Sequence, residues 1–378
     1  MSKKYKLVFW GPGHVGGNAM REALRRPEFE VVGAKVWSPS KDGVDVGVLA
    51  GGDPVGVLAT SDAEAIYALD ADCVIHTPQP MADAQNEADV LELLKSGKNI
   101  ISTAAYHFPH RRGAEYVKRL EEACAIGNVT VKGSGPHPSF WGERIILSLT
   151  ALMSKVKHVR LVEACNADVL FAEMGEALVH VMGMGQSLDW FNTDCPGYQM
   201  MSPYYRDVGA YIGVKLFGVS PDEIRFESTY DGIPAEHDLM LGTVPVKKGT
   251  AVGVRLTENG FIGDHHFYTH EEIGYIGAHN RNQGLSDVPF GPFAGDVNYI
   301  VDIDGDPSRL RAQFDMSTTR DDGVPVITHM SGTLLLQLVA PVCKAPNGIM
   351  YERPMTYAAP DFRTLPAVTT QESDGYGF

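Results

Sequence analysis

The chain has 378 residues, 44% of them hydrophobic and 21% charged, which is enough for two cores and excludes a fibrous, low-complexity or disordered polypeptide. Its 47 acidic against 32 basic residues give a formal net charge of -15, so nucleic acid and anionic membrane surfaces are excluded as expected partners. Residues 7–10 are too short an apolar run for a signal-peptide core, no continuous apolar run reaches 18 residues, and the five cysteines form no C-x-x-C pair; we expect a cytoplasmic chain with reduced thiols.

Residues 5–10 (YKLVFW) read as a short strand, the glycine-rich stretch after them opens a helix that Pro27 closes, and residues 29–37 (FEVVGAKVW) read as a second strand. Strand, glycine turn, helix and strand within about 30 residues make a βαβ unit with parallel strands. The alternation continues with strands at 72–77, 99–103 and 129–133 and helices at 82–96 and 113–127. We therefore expect an α/β first domain, residues 1–140, built on a doubly wound parallel sheet.

From Trp141 the texture changes. A helix at 143–154, a strand at 158–165 and a methionine-rich helical stretch at 173–188 precede a long region rich in β-branched and aromatic residues. Residues 251–256, 261–268 and 298–303 alternate as antiparallel strands, so the second domain, 141–327, is expected to be α+β on a mainly antiparallel sheet. Residues 328–342 form an apolar-faced helix, and the segment 328–378 is expected to return to the first domain.

Gly11, Gly13 and Gly16 in WGPGHVGG have three separate tasks. The first permits a tight turn, the second lets backbone approach a diphosphate, and the third allows close helix packing; His14 and Val15 lie at the helix start whose dipole attracts the anion. The triplet ends a strand and opens a helix, the context that makes it a dinucleotide-binding signal. Beyond the second strand, where an acid would bind the ribose of NAD, the sequence reads VWSPSKDG. Ser38, Ser40 and Lys41 supply donors for a 2′-phosphate, so NADP is expected over NAD. Thr77, Pro78, Thr103 and Ala104, after the next two strands, complete the expected cofactor residues.

With GPGHVGG, VWSPSK, HTP, IISTAAY and GSGPHPSF in order, the chain resembles the dihydrodipicolinate reductase-like superfamily. It is most similar to the branch of 2,4-diaminopentanoate dehydrogenases and native NAD(P)-dependent amine dehydrogenases. LFAEMGEALVHVMGMG and LLLQLVAPVCKAPNGI extend the likeness through most of the chain. The resemblance implies a Rossmann domain, an α+β domain for substrate and homodimer formation, and hydride transfer at a C=N or C–N centre. Two features depart from the pattern. The His-rich reductase motif with its downstream lysine is missing, and Ala105 stands where the amine dehydrogenases carry a glutamate.

Without that carboxylate, a ketone or alcohol becomes attractive as substrate, with a neighbouring side chain as proton donor. The carboxyl ends of the strands nominate Tyr106, His107 and His137 as catalytic candidates, with His110 nearby. A true amine dehydrogenase would use another acid, and Glu163, Asp168, Glu173 and Glu176 are placed to supply one. A third reading is an NADP(H) sensor without turnover. The run DHHFYTHEE lacks His-Glu-x-x-His spacing, so no metal is expected, and His266 or His270 is a candidate pocket residue. Met182, Met184, Trp190, Phe191, Tyr204 and Tyr205 offer either an adaptable apolar wall or a core. The expected ligand is a small to medium, partly apolar molecule.

Overall fold

The structure is a computed structural model that describes residues 4–79, 83–104, 106–167, 175–276 and 296–351. The chain divides into two compact units; the first holds residues up to Phe140 together with Ile327–Glu352, and the second holds Trp141–Val326 among the described residues.

In the first unit, β1 (Tyr5–Trp10), helix α1 (His14–Leu24) and β2 (Phe29–Lys35) form the expected βαβ arrangement. The short β3 (Ala59–Thr60) pairs with β2, while β4 (Cys73–His76), β5 (Asn99–Ser102) and β6 (Thr130–Gly133) extend the sheet on the other side of β1. The neighbouring strands are parallel. Because β1 lies between β2 and β4, the chain changes direction there, and the carboxyl ends of β1 and β4 border a switch point. Leu7, Phe9 and Ile75 are fully buried on one face and Val8, Val74 and Ile100 on the other, the all-apolar strand pattern of a sheet covered on both sides. Each such side chain contributes about 1.5–3 kcal/mol by leaving water.

The helix Val326–Lys344 is longer than expected, and by length and mean hydropathy (1.5) it matches a membrane span. Its Thr, His, Ser and Gln residues explain why no unbroken apolar run announces it. Leu335, Leu338, Val339 and Val342 are buried in the same cluster as Leu7 and Phe9. The following β15 (Gly348–Ile349) adds to β6 in parallel.

The second unit carries β7 (Lys155–Asn166), β8 (Ile224–Pro234), a small hairpin of β9 (Leu239–Leu241) and β10 (Val244–Val246), β11 (Ala251–Ile262), β12 (His265–Tyr275), β13 (Val297–Asp306) and β14 (Arg309–Met316). Six of these make one sheet in the order β14-β13-β7-β12-β11-β8. It is mainly antiparallel, with one parallel pair between β7 and β12. The expected strand 261–268 is instead a hairpin, since Gly263, at φ 57°, turns the chain between β11 and β12.

Sequence reading missed the helix Pro196–Phe217. Its apolar residues run round all sides, and Pro203 with Gly209 and Gly213 lowers its helical signal. The two glycines have a packing reason: a Cβ would fall 2.7 Å from the Tyr268 ring at Gly209 and 2.9 Å from Phe267 at Gly213. The helix therefore lies close against β12.

Candidate functional site

The three glycines of the loop have different surroundings. Gly11 takes φ 72°, donates to the Lys35 carbonyl at 3.0 Å, and leaves no room for a Cβ, which would sit 2.6 Å from Trp37. At Gly16 a Cβ would fall 2.2 Å from Thr77 Oγ1, and that hydroxyl donates to the Gly11 carbonyl at 2.9 Å. Thr77 thus ties β4 to the loop. Gly13 differs: a Cβ there meets nothing nearer than 4.0 Å, the residue is exposed, and it begins α1 without a side-chain cap. The first turn of α1 contains no acidic residue, His14 is exposed and Val15 half-buried. Open space over an uncapped helix N-terminus fits the diphosphate of a dinucleotide.

At the end of β2, Ser38 and Ser40 are exposed with their hydroxyls 2.8 Å apart, and the Lys41 amide donates to the Ser38 carbonyl at 2.9 Å. The nearby Asp42 carboxylate accepts from the Ser61 amide at 2.6 Å, so it is committed to a turn. Sequence reading missed Lys35. This lysine is buried, donates to the Val36 carbonyl at 3.0 Å, and lies 4.8 Å from the Trp37 ring and 5.7 Å from the Trp10 ring. Burial lowers its pKa. The signal was a lysine in the last position of a strand whose preceding four residues are apolar.

After β4 and β5 the chain is held by His76 and Ser102, both fully buried. Ser102 Oγ accepts the Ala104 amide at 3.1 Å and shares a 2.8 Å hydrogen bond with His76 Nδ1. Burial depresses the His76 pKa to about 3, so the ring is neutral. Pro78 and Thr103 are half-buried beside this pair, and Ala104 is buried. Tyr106 and His107 are both buried, and Gly133 leaves them room, since a Cβ there would lie 2.2 Å from the Tyr106 carbonyl carbon. Burial pushes the Tyr106 phenol up, which makes it a proton donor and not a base. His110 is exposed, with Nδ1 3.0 Å from the Tyr351 hydroxyl. His137 lies in the π-helical segment Pro136–Ile146, its side chain outside the described residues, as are Ala105, Asp168 and Glu173.

In the second unit, Glu176 accepts the Thr243 amide at 2.7 Å and serves as a loop tether. His266 bonds Asn259 and Thr269, whereas His270 is fully buried, stacked 4.2 Å from the Tyr205 ring, with Nδ1 3.2 Å from the Tyr268 hydroxyl. Met182, Met184, Trp190, Phe191, Tyr204 and Tyr205 all belong to one apolar cluster.

Glu163 has a partner on each side. The strand register sets it opposite Glu272 on β12 and Tyr299 on β13, so one row of the sheet carries two carboxyls and a phenol. Tyr299 donates to Glu163 Oε1 at 3.1 Å, and Glu272 faces Glu163 across the β7–β12 pairing. Burial, partly offset by hydrogen bonding, raises the Glu163 pKa to about 7. Trp141 stacks on Tyr299 at 4.2 Å. Sequence reading singled out Glu163 but not Glu272 or Tyr299, because pairing across strands is invisible until register is known.

No protein-family model matches the sequence. The chain is 26% identical over 368 residues to an amine dehydrogenase of Streptomyces virginiae, covering 96% of this chain and 97% of the relative. Among solved structures it is similar to the amine dehydrogenase from Mycobacterium smegmatis, with a TM-score of 0.71 and 19% identity over 92% of this chain and 95% of the other. A probable dehydrogenase from Thermotoga maritima shares the fold at a TM-score of 0.52 and 12% identity, covering 91% and 90%. Together with the glycine loop at a parallel-sheet switch point, this makes the chain an oxidoreductase of the dehydrogenase/reductase class.

Proposed function

We propose that the chain is an NADP-dependent oxidoreductase acting on a small to medium, partly apolar carbonyl, alcohol, imine or amine. The observation that carries this is the open position over Gly13 at the uncapped start of α1. Gly11, Gly13 and the α1 amides would hold the diphosphate, and Ser38, Ser40, Lys41 and Lys35 the 2′-phosphate. The bound nicotinamide supplies the hydride acceptor or donor. Thr77, Pro78, Thr103 and Ala104 would border it, and the neutral His76 with Ser102 holds their loop in place. Tyr106 and His107 remain the proton-donor candidates of this unit. We place the protein in the cytoplasm as a homodimer, and its charge of -15 supports the reading that neither nucleic acid nor an anionic membrane is a partner.

The amine dehydrogenase relative favours a second, narrower reading, reductive amination with ammonia. Both are tested by following reduced-nicotinamide absorbance over a ketone panel with and without ammonia. Ketone reduction without ammonia supports the broad reading, and dependence on ammonia supports the narrow one. Tight NADPH binding with no turnover on any substrate would overturn both in favour of a sensor.

A further inference from the structure

We propose that Trp37 is the platform on which the adenine ring of the dinucleotide stacks, an indole backed by the buried ammonium of Lys35. This rests on the NADP-dependent reading above and adds to it the residue that recognises the base.

The first argument is placement within the first unit. The diphosphate position lies over Gly13 at the start of α1, at the switch point where β1 runs between β2 and β4. In such a sheet the residues just beyond β2 serve the adenosine half, because there the acid of an NAD enzyme meets the ribose. Trp37 stands in that place, and the hydroxyls of Ser38 and Ser40 come directly after it. In NADP the base and the 2′-phosphate are carried on adjacent carbons of one ribose. An indole followed at once by phosphate donors matches that pair.

The second argument is that the ring is held before any ligand arrives. Lys35 Nζ lies 4.8 Å from its centroid and covers one face, and Trp10 meets it edge to face, with centroids 6.3 Å apart and planes at 82°. The far edge of the indole rests on the glycine loop: a Cβ at Gly11 would fall 2.6 Å from Trp37 Cζ3 and 3.1 Å from Cη2. With one face and one edge taken, the 49% of Trp37 that stays exposed leaves the face opposite Lys35 to a ligand.

The support behind the platform is fixed in turn. The Trp10 indole donates to Asp89 Oδ2 at 3.2 Å, Gln85 donates to the other oxygen at 2.6 Å, and Tyr67 stacks on Trp10 with centroids 5.8 Å apart at 15°. Asp89, with Asp42 and Asp62, also supplies negative charge that favours the Lys35 ammonium against its burial. A single exposed tryptophan is ordinary on a protein surface. One that a glycine turn, a cation and a second indole hold in place has already lost the freedom that stacking a base would otherwise remove.

The test uses the full-length protein and two ligands, NADPH and 2′,5′-ADP, the second carrying the adenosine half alone. Subtracting the tryptophan emission of Trp37→Phe from that of the parent chain isolates the Trp37 signal, and 2′,5′-ADP should quench it on binding. By calorimetry, Trp37→Leu, which loses the flat face, should bind both ligands about tenfold or more weakly, whereas Trp37→Phe should stay within about threefold of the parent. Thermal denaturation identifies the folded variants, and rescue by phenylalanine separates stacking from mere packing on Gly11. The proposal is overturned if 2′,5′-ADP binds the parent without changing the Trp37 emission, a result that does not depend on Trp37→Leu folding. It is equally overturned if folded Trp37→Leu binds 2′,5′-ADP within about threefold of the parent. In both cases NADPH binding by the parent remains, and the oxidoreductase reading with it. A parent chain that binds neither ligand overturns that reading, and the platform falls with it.

Discussion

Two of the glutamates buried in the six-stranded sheet of the second unit are accommodated in opposite ways. Glu258, on β11, is fully buried and receives the Arg206 guanidinium at 3.0 Å, the Ser202 hydroxyl at 2.6 Å and the Ser228 hydroxyl. Its charge is neutralised and its lone pairs are occupied. Glu163 instead receives the Tyr299 phenol, which satisfies a hydrogen bond without supplying a positive charge, and stands opposite a second carboxyl, Glu272, in the strand register. The first unit repeats the contrast with lysines. Lys98 donates to the Tyr67 carbonyl at 2.7 Å and to Ser96 through both Oγ and the carbonyl, whereas Lys35, among the described residues, donates to the Val36 carbonyl and otherwise meets tryptophan faces. A buried charge with its compensation built in holds the fold. That difference separates Glu258 and Lys98 from Glu163 and Lys35.

The largest effect should come from breaking the compensated group. Arg206→Ala strands Glu258 in a site from which its cation has been removed, and we expect a loss of about 3–5 kcal/mol in urea unfolding. If Arg206→Ala unfolds no more easily than the parent chain, the distinction between the two glutamates loses its structural half.

Glu163→Gln should act on the pH dependence of stability. The folded Glu163 pKa is raised above its ordinary value of 4.5 to about 7, so the folded state binds the proton more tightly than the unfolded chain. The associated stability is fully present below the unfolded value and is lost as pH rises through the folded one, at up to about 1.4 kcal/mol per pH unit. Urea unfolding at intervals across that window should show this decline in the parent chain and a flatter profile in the variant. The glycine loop offers a steric version. Gly16→Ala drives a methyl into Thr77, whereas Gly13→Ala has space in the fold, so we expect thermal denaturation to penalise Gly16→Ala by about 1–3 kcal/mol and Gly13→Ala by less. NADPH titration should reverse the emphasis, with Gly13→Ala folding normally and binding more weakly.

What the sequence made legible follows from which signals are local. The βαβ unit and its glycines could be read because strand, turn and helix are adjacent in the chain, and each signal spans a few residues. The pairing of Glu163 with Glu272 joins residues more than a hundred positions apart, and nothing in either segment marks the other. Likewise, residues 261–268 read as one strand, yet which of the histidines and acids of HHFYTHEE faces inward depends on a hairpin turn at Gly263 that sets the register. Tyr205 was visible only as one more aromatic in a region without helical periodicity, because its helix is apolar on all sides.

Lys35 carries the smallest and most specific expectation. Among the described residues its three N–H donors serve one carbonyl, and the ring of Trp37 beside it is half-exposed just beyond β2. A 2′-phosphate bound there gains a charge-assisted hydrogen bond that a 2′-hydroxyl would use far less, since the phosphate carries the opposing charge. Lys35→Met keeps the length and the contact with both tryptophans but removes the donors. We expect the preference for NADPH over NADH, measured as the ratio of kcat/KM values, to fall about tenfold with NADH kinetics unchanged. A loss shared equally by both cofactors would instead place Lys35 with Lys98, as a lysine whose work is to hold a strand end together.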